Sequence, residues 1–501
     1  MLWDLRMAPK YLQYVYALED PLHRYMANNE LPATFDADDS PTLRRGSMSI
    51  ATATAFALAA LQVGPGLAYS AAYVQGVAGS GSWISLLGAL LLSLSIAVAL
   101  IPYARRYVVS GSLVSYAHIA FGRRGRLVVG SSLLVGYLAA IGATSTVAVL
   151  FGIGTLVDLG FDIGHTLTLQ FVMVAAIIGA AATLAYRGID TSVRVSVTLA
   201  FACIPVVLGV LVAALLRHGV HAGGQFQFTH LSWRSVVSGI TVSFGFYVGF
   251  DGVTALAEET KDPLRSVPVI LITSLGIFGL CIVGGCLLEA PLVRDHAIDL
   301  DSGVSPLAII ARQGYWPALG TLGDALITLA STAAAIAFAN YGARVVATAA
   351  IDGLLPLWIS AIHPHFRSPH RAVVVQGCLC TLLCVVVGAV FRTSPMELTT
   401  YVSNMMVFMW LVPYIVVSVG TVEIARREKS LFPGFVCCGL LGAISCLGLL
   451  IYSLSLPHSD PNWRLAMLSY SLVGVCGIFC WRVRAGRDRC ASLCACHDAN
   501  G

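Results

Sequence analysis

Gln62-Val63-Gly64-Pro65-Gly66-Leu67 interrupts an apolar run that extends over Ser47–Val77. About 20 helical residues cross about 30 Å of hydrocarbon, so the run is long enough to span a membrane. Hydrocarbon offers no partner to a backbone N–H or C=O. A Gly-Pro-Gly in mid-span therefore has two readings: a proline kink inside a packed helix, or a break whose freed backbone groups face a cavity or a ligand. A second interruption tips the balance toward the break. Phe244-Gly245-Phe246-Tyr247-Val248-Gly249-Phe250-Asp251-Gly252 places glycines and an acid inside the run Val236–Leu256.

Working outward, twelve apolar runs are expected to cross the bilayer: Ser47–Val77, Trp83–Tyr103, Leu127–Val157, Leu167–Tyr186, Val193–Leu216, Val236–Leu256, Pro268–Glu289, Leu319–Ala350, Ala372–Phe391, Leu398–Ile424, Phe435–Leu456 and Arg464–Trp481. The interrupted runs are the first and the sixth, corresponding members of a repeat of five. Paired interruptions of that kind point to a midplane site in an inverted-repeat transporter. At a broken helix, the N–H groups of one half attract a carboxylate and the C=O groups of the other attract an ammonium or a cation. A zwitterion fits such a site.

Composition agrees. Of 501 residues 57% are hydrophobic and 11% charged, against roughly 25% charged in a soluble protein, and mean hydropathy is +0.80. This excludes a cytosolic enzyme, a secreted disulfide scaffold and a disordered chain. The net charge of +4 is scattered and suggests no nucleic-acid partner. The 14 cysteines lie mostly within apolar runs and read as small packing residues. Cys490, Cys494, Cys496 and His497 lack the regular spacing of a zinc site. No metal and no cofactor is expected.

Lys and Arg set the expected orientation. With the N-terminus inside, cytoplasmic segments hold Arg44, Arg45, Arg105, Arg106, Arg123, Arg124, Arg126, Arg187, Arg194, Lys261, Arg265, Arg344, Arg367, Arg371, Arg426, Arg427 and Lys429, and the tail after Trp481 adds more. The outer side has Arg217, Arg234, Arg294, Arg312, Arg392 and Arg464. The expected organisation is a cytoplasmic tail over 1–46, a ten-helix core over 47–425, two accessory helices over 426–484 and a cytoplasmic tail over 485–501. External loops are expected around Gln225–His230 and Arg294–Gln313, the second with a short helix at Pro306–Arg312.

Three further stretches carry a resemblance. Gly249-Phe250-Asp251-Gly252-Val253 is followed by Leu256-Ala257-Glu258-Glu259-Thr260-Lys261-Asp262-Pro263 and by Val267-Pro268. Ser110-Gly111-Ser112-Leu113-Val114-Ser115-Tyr116 precedes Phe121-Gly122. Asn340-Tyr341-Gly342-Ala343-Arg344 precedes Asp352-Gly353-Leu354-Leu355-Pro356 and His363-Pro364-His365-Phe366-Arg367-Ser368-Pro369. In order and spacing these resemble the amino acid–polyamine–organocation superfamily, as its sixth helix, the loop after its second, and its eighth helix with the loop beyond. The resemblance implies an all-α LeuT-type fold: two inverted five-helix repeats with helices one and six broken, two further helices, and alternating access. It also implies that Gly64-Pro65-Gly66 occupies the family's substrate-carboxylate break, where Pro65 removes an N–H.

Many proton-coupled members carry a lysine near the start of helix five. Here the matching position is Asp190, and the chain's lysines, Lys10, Lys261 and Lys429, all fall outside the spans. Asp190 reads either as a cation or proton site or as an ion-pair partner of Arg187 or Arg194 at a helix end. Asp251 lies inside a span, where an ionisable group usually lines a pathway. The expected substrate contacts are Gly64, Pro65, Gly66, Phe246, Tyr247, Val248, Gly249 and Asp251, with Asp190 and Asp251 as coupling candidates. Phe244, Phe246 and Tyr247 read as an aromatic gate or as packing, and Asn340, Arg344 and Asn404 as substrate contacts or interhelical bonds.

The leading reading is a secondary transporter of amino acids or related organic amines in the plasma membrane, coupled to a proton or another ion or working by exchange. A polyamine carrier of the same fold and a channel-like facilitator are the alternatives. No filter-like run supports a channel. No HExxH or Walker-type motif supports an enzyme or an ATP-driven pump. Substrate identity and oligomeric state stay open.

Overall fold

The computed structural model describes residues 46–161, 167–218, 226, 232–295, 305–313, 316–427 and 433–498. The expected N-terminal tail, most of the Gln225–His230 loop and the side chains of Cys490, Cys494, Cys496 and His497 lie outside the described residues. The described chain is helical, with one isolated bridge pairing Met48 with Thr260. In order come α1 (Ile50–Ala60), α2 (Val63–Ala78), α3 (Ser82–Ala104), α4 (Leu113–Asp158), α5 (Leu167–Tyr186), α6 (Ile189–Ala202), α7 (Ile204–His218) and α8 (Trp233–Tyr247). A 3-10 segment, Phe250–Glu259, leads to α9 (Pro263–Asp295), α10 (Pro306–Gln313), α11 (Pro317–Ile351), α12 (His370–Phe391), α13 (Pro395–Arg427), α14 (Pro433–Leu454) and α15 (Pro461–Asp498).

These supply 11 helical stretches long and apolar enough to cross a membrane, the first joining spans one and two through the short turn Gly79–Gly81. Counted separately, they are the twelve expected spans, an all-α LeuT-type arrangement. Both expected interruptions are real breaks. Span one divides after α1, where Gln62 takes the left-handed conformation (φ 59°, ψ 55°). Span six divides after α8, where Val248 is extended and Gly249 has φ 89°. A Cβ on Gly249 would stand 2.6 Å from the Phe338 ring, so both conformation and space require glycine there.

Span five, expected to be continuous over Val193–Leu216, is one helical stretch that kinks at Cys203 between α6 and α7, where Cys203 keeps helical dihedrals (φ −78°, ψ −25°). Pro205 lacks the N–H that would continue the helix ladder. Cys203 fills the space beside Gly64 so closely that a Cβ on Gly64 would collide with its sulfur. The kink in span five thus packs directly on the break in span one.

Small residues let the core helices approach closely. On α11, Ala333, Ala334, Ala335, Ala337 and Ala343 are fully buried, and this helix packs against α4, α6 and α12. Large apolar side chains face outward on the peripheral helices, among them Leu216, Val390 and Ile444, as a lipid-facing surface requires.

At the face where α1 begins, hereafter the N-terminal face, the two broken spans are laced together. Gly46 N–H donates to Glu258 O at 3.1 Å, Met48 N–H to Glu259 O at 2.9 Å and Lys261 N–H to Met48 O at 2.9 Å. Arg344 of α11 then closes on Glu259 through Nε (2.6 Å) and Nη2 (2.8 Å), with both side chains almost fully enclosed. Its remaining Nη1 donates to the Asn340 carbonyl at 2.8 Å and to Asn340 Oδ1 at 3.3 Å. A bidentate pair with its spare donors satisfied is the geometry in which a buried ion pair holds. Arg344→Gln leaves Glu259 buried without its cation and is expected to cost about 3–5 kcal/mol. It should lower the thermal melting midpoint of the purified protein, and Glu259→Gln added to it should recover part of the loss.

Candidate functional site

The two breaks face one cavity. At span one its wall is Ala60, Leu61 and Gln62 at the end of α1, continuing through Gly66, Tyr69 and Tyr73 of α2. At span six it is Val242, Gly245, Phe246 and Val248. Ala143, Thr144, Val147 and Phe151 of α4 and Phe338 of α11 form the back, and α13 contributes Thr399, Thr400, Ser403 and Met406. Ser305 and Pro306 form the rim on the face opposite the N-terminus.

Backbone chemistry gives this cavity two kinds of pole. In the last turn of α1 the Ala57 and Ala59 carbonyls accept from Leu61 N–H at 3.0 Å and Gln62 N–H at 3.2 Å; the other end carbonyls of α1 and α8 lack a continuing helix to supply donors, as the first N–H groups of α2 lack acceptors. Gly66 N–H is occupied by Gln62 O at 2.8 Å, and Pro65 has none, which leaves the amides of Val63 and Gly64 as the positive end. Gln62 Oε1 has no hydrogen-bond partner among the described residues and adds an acceptor at the break. Phe246 lies across the aromatic wall, with ring centroids 5.5 Å from Tyr69 and 6.1 Å from Tyr73. Tyr69 in turn stands 5.9 Å from Phe151.

Of the residues expected to contact substrate, Gly66, Phe246 and Val248 line the cavity. Gly64 and Pro65 lie just behind it in the first turn of α2. Tyr247 points away, its hydroxyl donating to Leu86 O at 3.0 Å. Gly249 N–H donates to the Tyr414 hydroxyl at 3.2 Å.

Asp251 is fully buried behind the break. Its Oδ1 accepts from Trp410 Nε1–H at 2.9 Å and from the Tyr414 hydroxyl at 2.7 Å, both on α13. Its Oδ2 accepts from Ser112 at 3.4 Å. Thr254, one turn on, donates to the Asp251 carbonyl at 2.7 Å and pairs with Ser112 at 2.8 Å. The carboxylate thus braces the 3-10 segment against α13 and the start of α4.

Asp190 occupies the exposed first turn of α6, away from the cavity, where free N–H groups favour an acid. Asn340 bonds Ile336 O and Arg344. Asn404 reaches the cavity and also donates to Asn462 of α15 at 2.7 Å.

Tyr69, Tyr73, Gln62 and the α13 hydroxyls were not among the sequence candidates. Gln62, Gly66, Tyr69 and Tyr73 recur at helical spacing from the break, and that periodicity is the signal that would have found the first three. Nothing local marks Thr399, Thr400 and Ser403.

The model of the amino acid permease family matches residues 49–478. The chain belongs to that family. Among its relatives, the branched-chain amino acid permease BcaP of Bacillus subtilis is 25% identical over 391 residues, 75% of this chain and 81% of its own. The methylthioribose transporter of the same organism is 24% identical over 340 residues, 65% and 73% of the two chains. Cationic amino acid transporter 7 of Arabidopsis thaliana is 23% identical over 382 residues, 72% and 62%. This permease is a multi-pass membrane transporter of a small-molecule substrate.

In this permease, Asp251→Ala strips the acceptor from two buried donors, Trp410 N–H and Tyr414 O–H, at about 1–3 kcal/mol for each. Asp251→Asn keeps one oxygen for them. Thermal melting of the purified variants is expected to place the alanine form well below wild type and the asparagine form between the two.

Proposed function

We propose that this permease carries neutral amino acids with apolar side chains across the plasma membrane by alternating access, with both termini in the cytoplasm. The observation that carries this reading is the lining of the cavity: helix ends supply its polar poles, and among the described residues none of the lining side chains is charged. The substrate ammonium meets the carbonyl ends of α1 and α8, its carboxylate meets the first turn of α2, and its side chain lies among Tyr69, Phe151, Phe246, Phe338 and Met406. A cationic side chain would need an acid in the wall, and the carboxylate nearest the break, Asp251, is already engaged by Trp410, Tyr414 and Ser112. The relative named for branched-chain amino acids supports the same choice.

The N-terminal face is laced shut beneath the cavity, which supports a carrier that closes one face at a time. The excess of Arg and Lys at the N-terminal face supports its cytoplasmic placement. Transport by exchange or coupled to an ion gradient both fit this arrangement, and neither requires a catalytic residue.

Proteoliposomes loaded with unlabelled leucine are expected to accumulate labelled leucine transiently above equilibrium, an overshoot that a pore does not give. Excess isoleucine or valine should suppress it, and arginine, putrescine or methylthioribose should not. Suppression by arginine or putrescine alone would overturn the neutral substrate, and equilibration with no overshoot would overturn the carrier. Phe246→Ala, which removes the ring across Tyr69 and Tyr73, should raise the leucine concentration for half-maximal exchange about tenfold.

A further inference from the structure

A second, polar cavity opens at the N-terminal face, apart from the transport cavity. One wall is the turn from α5 into α6, with Arg187, Asp190 and Thr191, and the other is the loop between α11 and α12, with His365 and Arg367. That loop leaves the bundle at the N-terminal face, because Arg344, near the end of α11, already reaches Glu259 there. The two cavities share no lining residue among those described.

Both walls are held by bonds of their own. Ser368 Oγ donates to the Tyr186 carbonyl at 2.6 Å, which ties the loop to the end of α5. His363 Nδ1 accepts from the N–H groups of His365 and Phe366, each at 3.2 Å, and the His363 carbonyl accepts the Arg367 N–H at 2.9 Å. The Tyr186 ring stands edge-on to His363 and Phe366, with centroids 5.3 Å and 5.8 Å away. The cavity is therefore a fixed gap between one element of the first repeat and one of the second.

Charge decides what this gap can hold. Arg187 and Arg367 stand on opposite walls, and neither guanidinium has a hydrogen-bond or ion-pair partner among the described residues. Other arginines are engaged: Arg126 with Asp352, Arg427 with Glu423, and Arg371, in the helix that follows the loop, with the Trp358 carbonyl. Among the described lining residues Asp190 is the one acid, so positive charge is in excess. His365 adds a ring N–H in either protonation state. Gly188 brings no capping side chain to α6, whose first turn adds its dipole. A guanidinium fork matches two oxygens of an anion. A carboxylate has only two oxygens, in one plane, whereas the tetrahedral oxygens of a phosphate can meet forks on both walls.

We propose that this cavity is a binding site for a phosphate group, held by Arg187 of the first repeat and Arg367 of the second, so that an occupied site ties the two repeats together at the N-terminal face. The two guanidinium groups carry the inference, and His365 and the start of α6 add to it. Asp190 opposes the anion, which gives the site a test with a sign. The phosphate is free in the aqueous phase or is the headgroup of an anionic phospholipid, and a gap at the ends of two membrane spans is within reach of both. The site does not depend on the transport reading, because its occupancy is measured without transport.

Thermal melting of the full chain in detergent micelles tests this, with ionic strength held constant by chloride, inorganic phosphate added in one arm and short-chain phosphatidylglycerol in the other. The wild-type midpoint should rise and saturate in at least one arm, as for any ligand that binds the folded state. Arg187→Gln combined with Arg367→Gln, at two exposed side chains, should raise the half-saturating concentration about tenfold or more. Arg371→Gln, whose arginine is bonded to the Trp358 carbonyl, should change it by less than about twofold, and Asp190→Asn should lower it about threefold. A rise with inorganic phosphate makes the ligand a phosphate of the aqueous phase, and a rise with phosphatidylglycerol alone makes it a lipid headgroup; both support the site. No rise in either arm, a rise that the double variant keeps in full, or one that Arg371→Gln removes as completely overturns it. Weaker binding in Asp190→Asn overturns it as well, since the acid would then be holding the ligand.

Discussion

A backbone freed inside hydrocarbon must find partners, and in this chain one carboxylate organises where they come from. Asp251 sits just past the break in span six and takes donors from Trp410 and Tyr414, while Tyr414 also accepts the Gly249 N–H. The unwound residues are thereby bonded to α13, which also contributes a wall of the cavity. The break stays open because polar groups just past it are satisfied on the side away from the cavity. Span one depends on a steric counterpart: Gln62 turns left-handed, and Gly64 gives room to Cys203 at the kink in span five. A packing contact and a hydrogen-bond cluster thus do the same job in the two repeats.

What was legible in the sequence follows from range. Twelve spans and two breaks are local properties, carried by hydropathy over about 20 residues and by glycine and proline at fixed positions. They hold in the structure, and the kink of span five was also locally signalled, by Pro205. Partners across the bundle were not legible. Asp251 stood out as an acid in an apolar run, but Trp410, 159 positions away, had no mark to separate it from lipid-facing or packing aromatics. Arg344 and Glu259 both lay in quoted motifs, yet nothing in either predicts that they meet across 85 positions.

The aromatic residues divide in the same way. Phe246 and Tyr247 are neighbours in sequence, but a helix sends them to different sides, one to the cavity and one to the Leu86 carbonyl. Reading Tyr247 with Phe246 as a gate treated adjacency as shared direction. The facing set, Gly66, Tyr69 and Tyr73, is spaced by helical turns.

The ion pairs at the two ends of the cavity differ in their access to salt. Arg344 and Glu259 are 2% and 1% exposed, and dissolved ions cannot approach them. Arg312 is 52% exposed against Asp158 at 10%, so a counterion can compete for its guanidinium. Salt weakens the attraction between solvent-exposed charges and acts much less on enclosed ones. The pair at the N-terminal face is therefore insulated from the ionic strength of the medium, and the pair at the end of α10 is open to it.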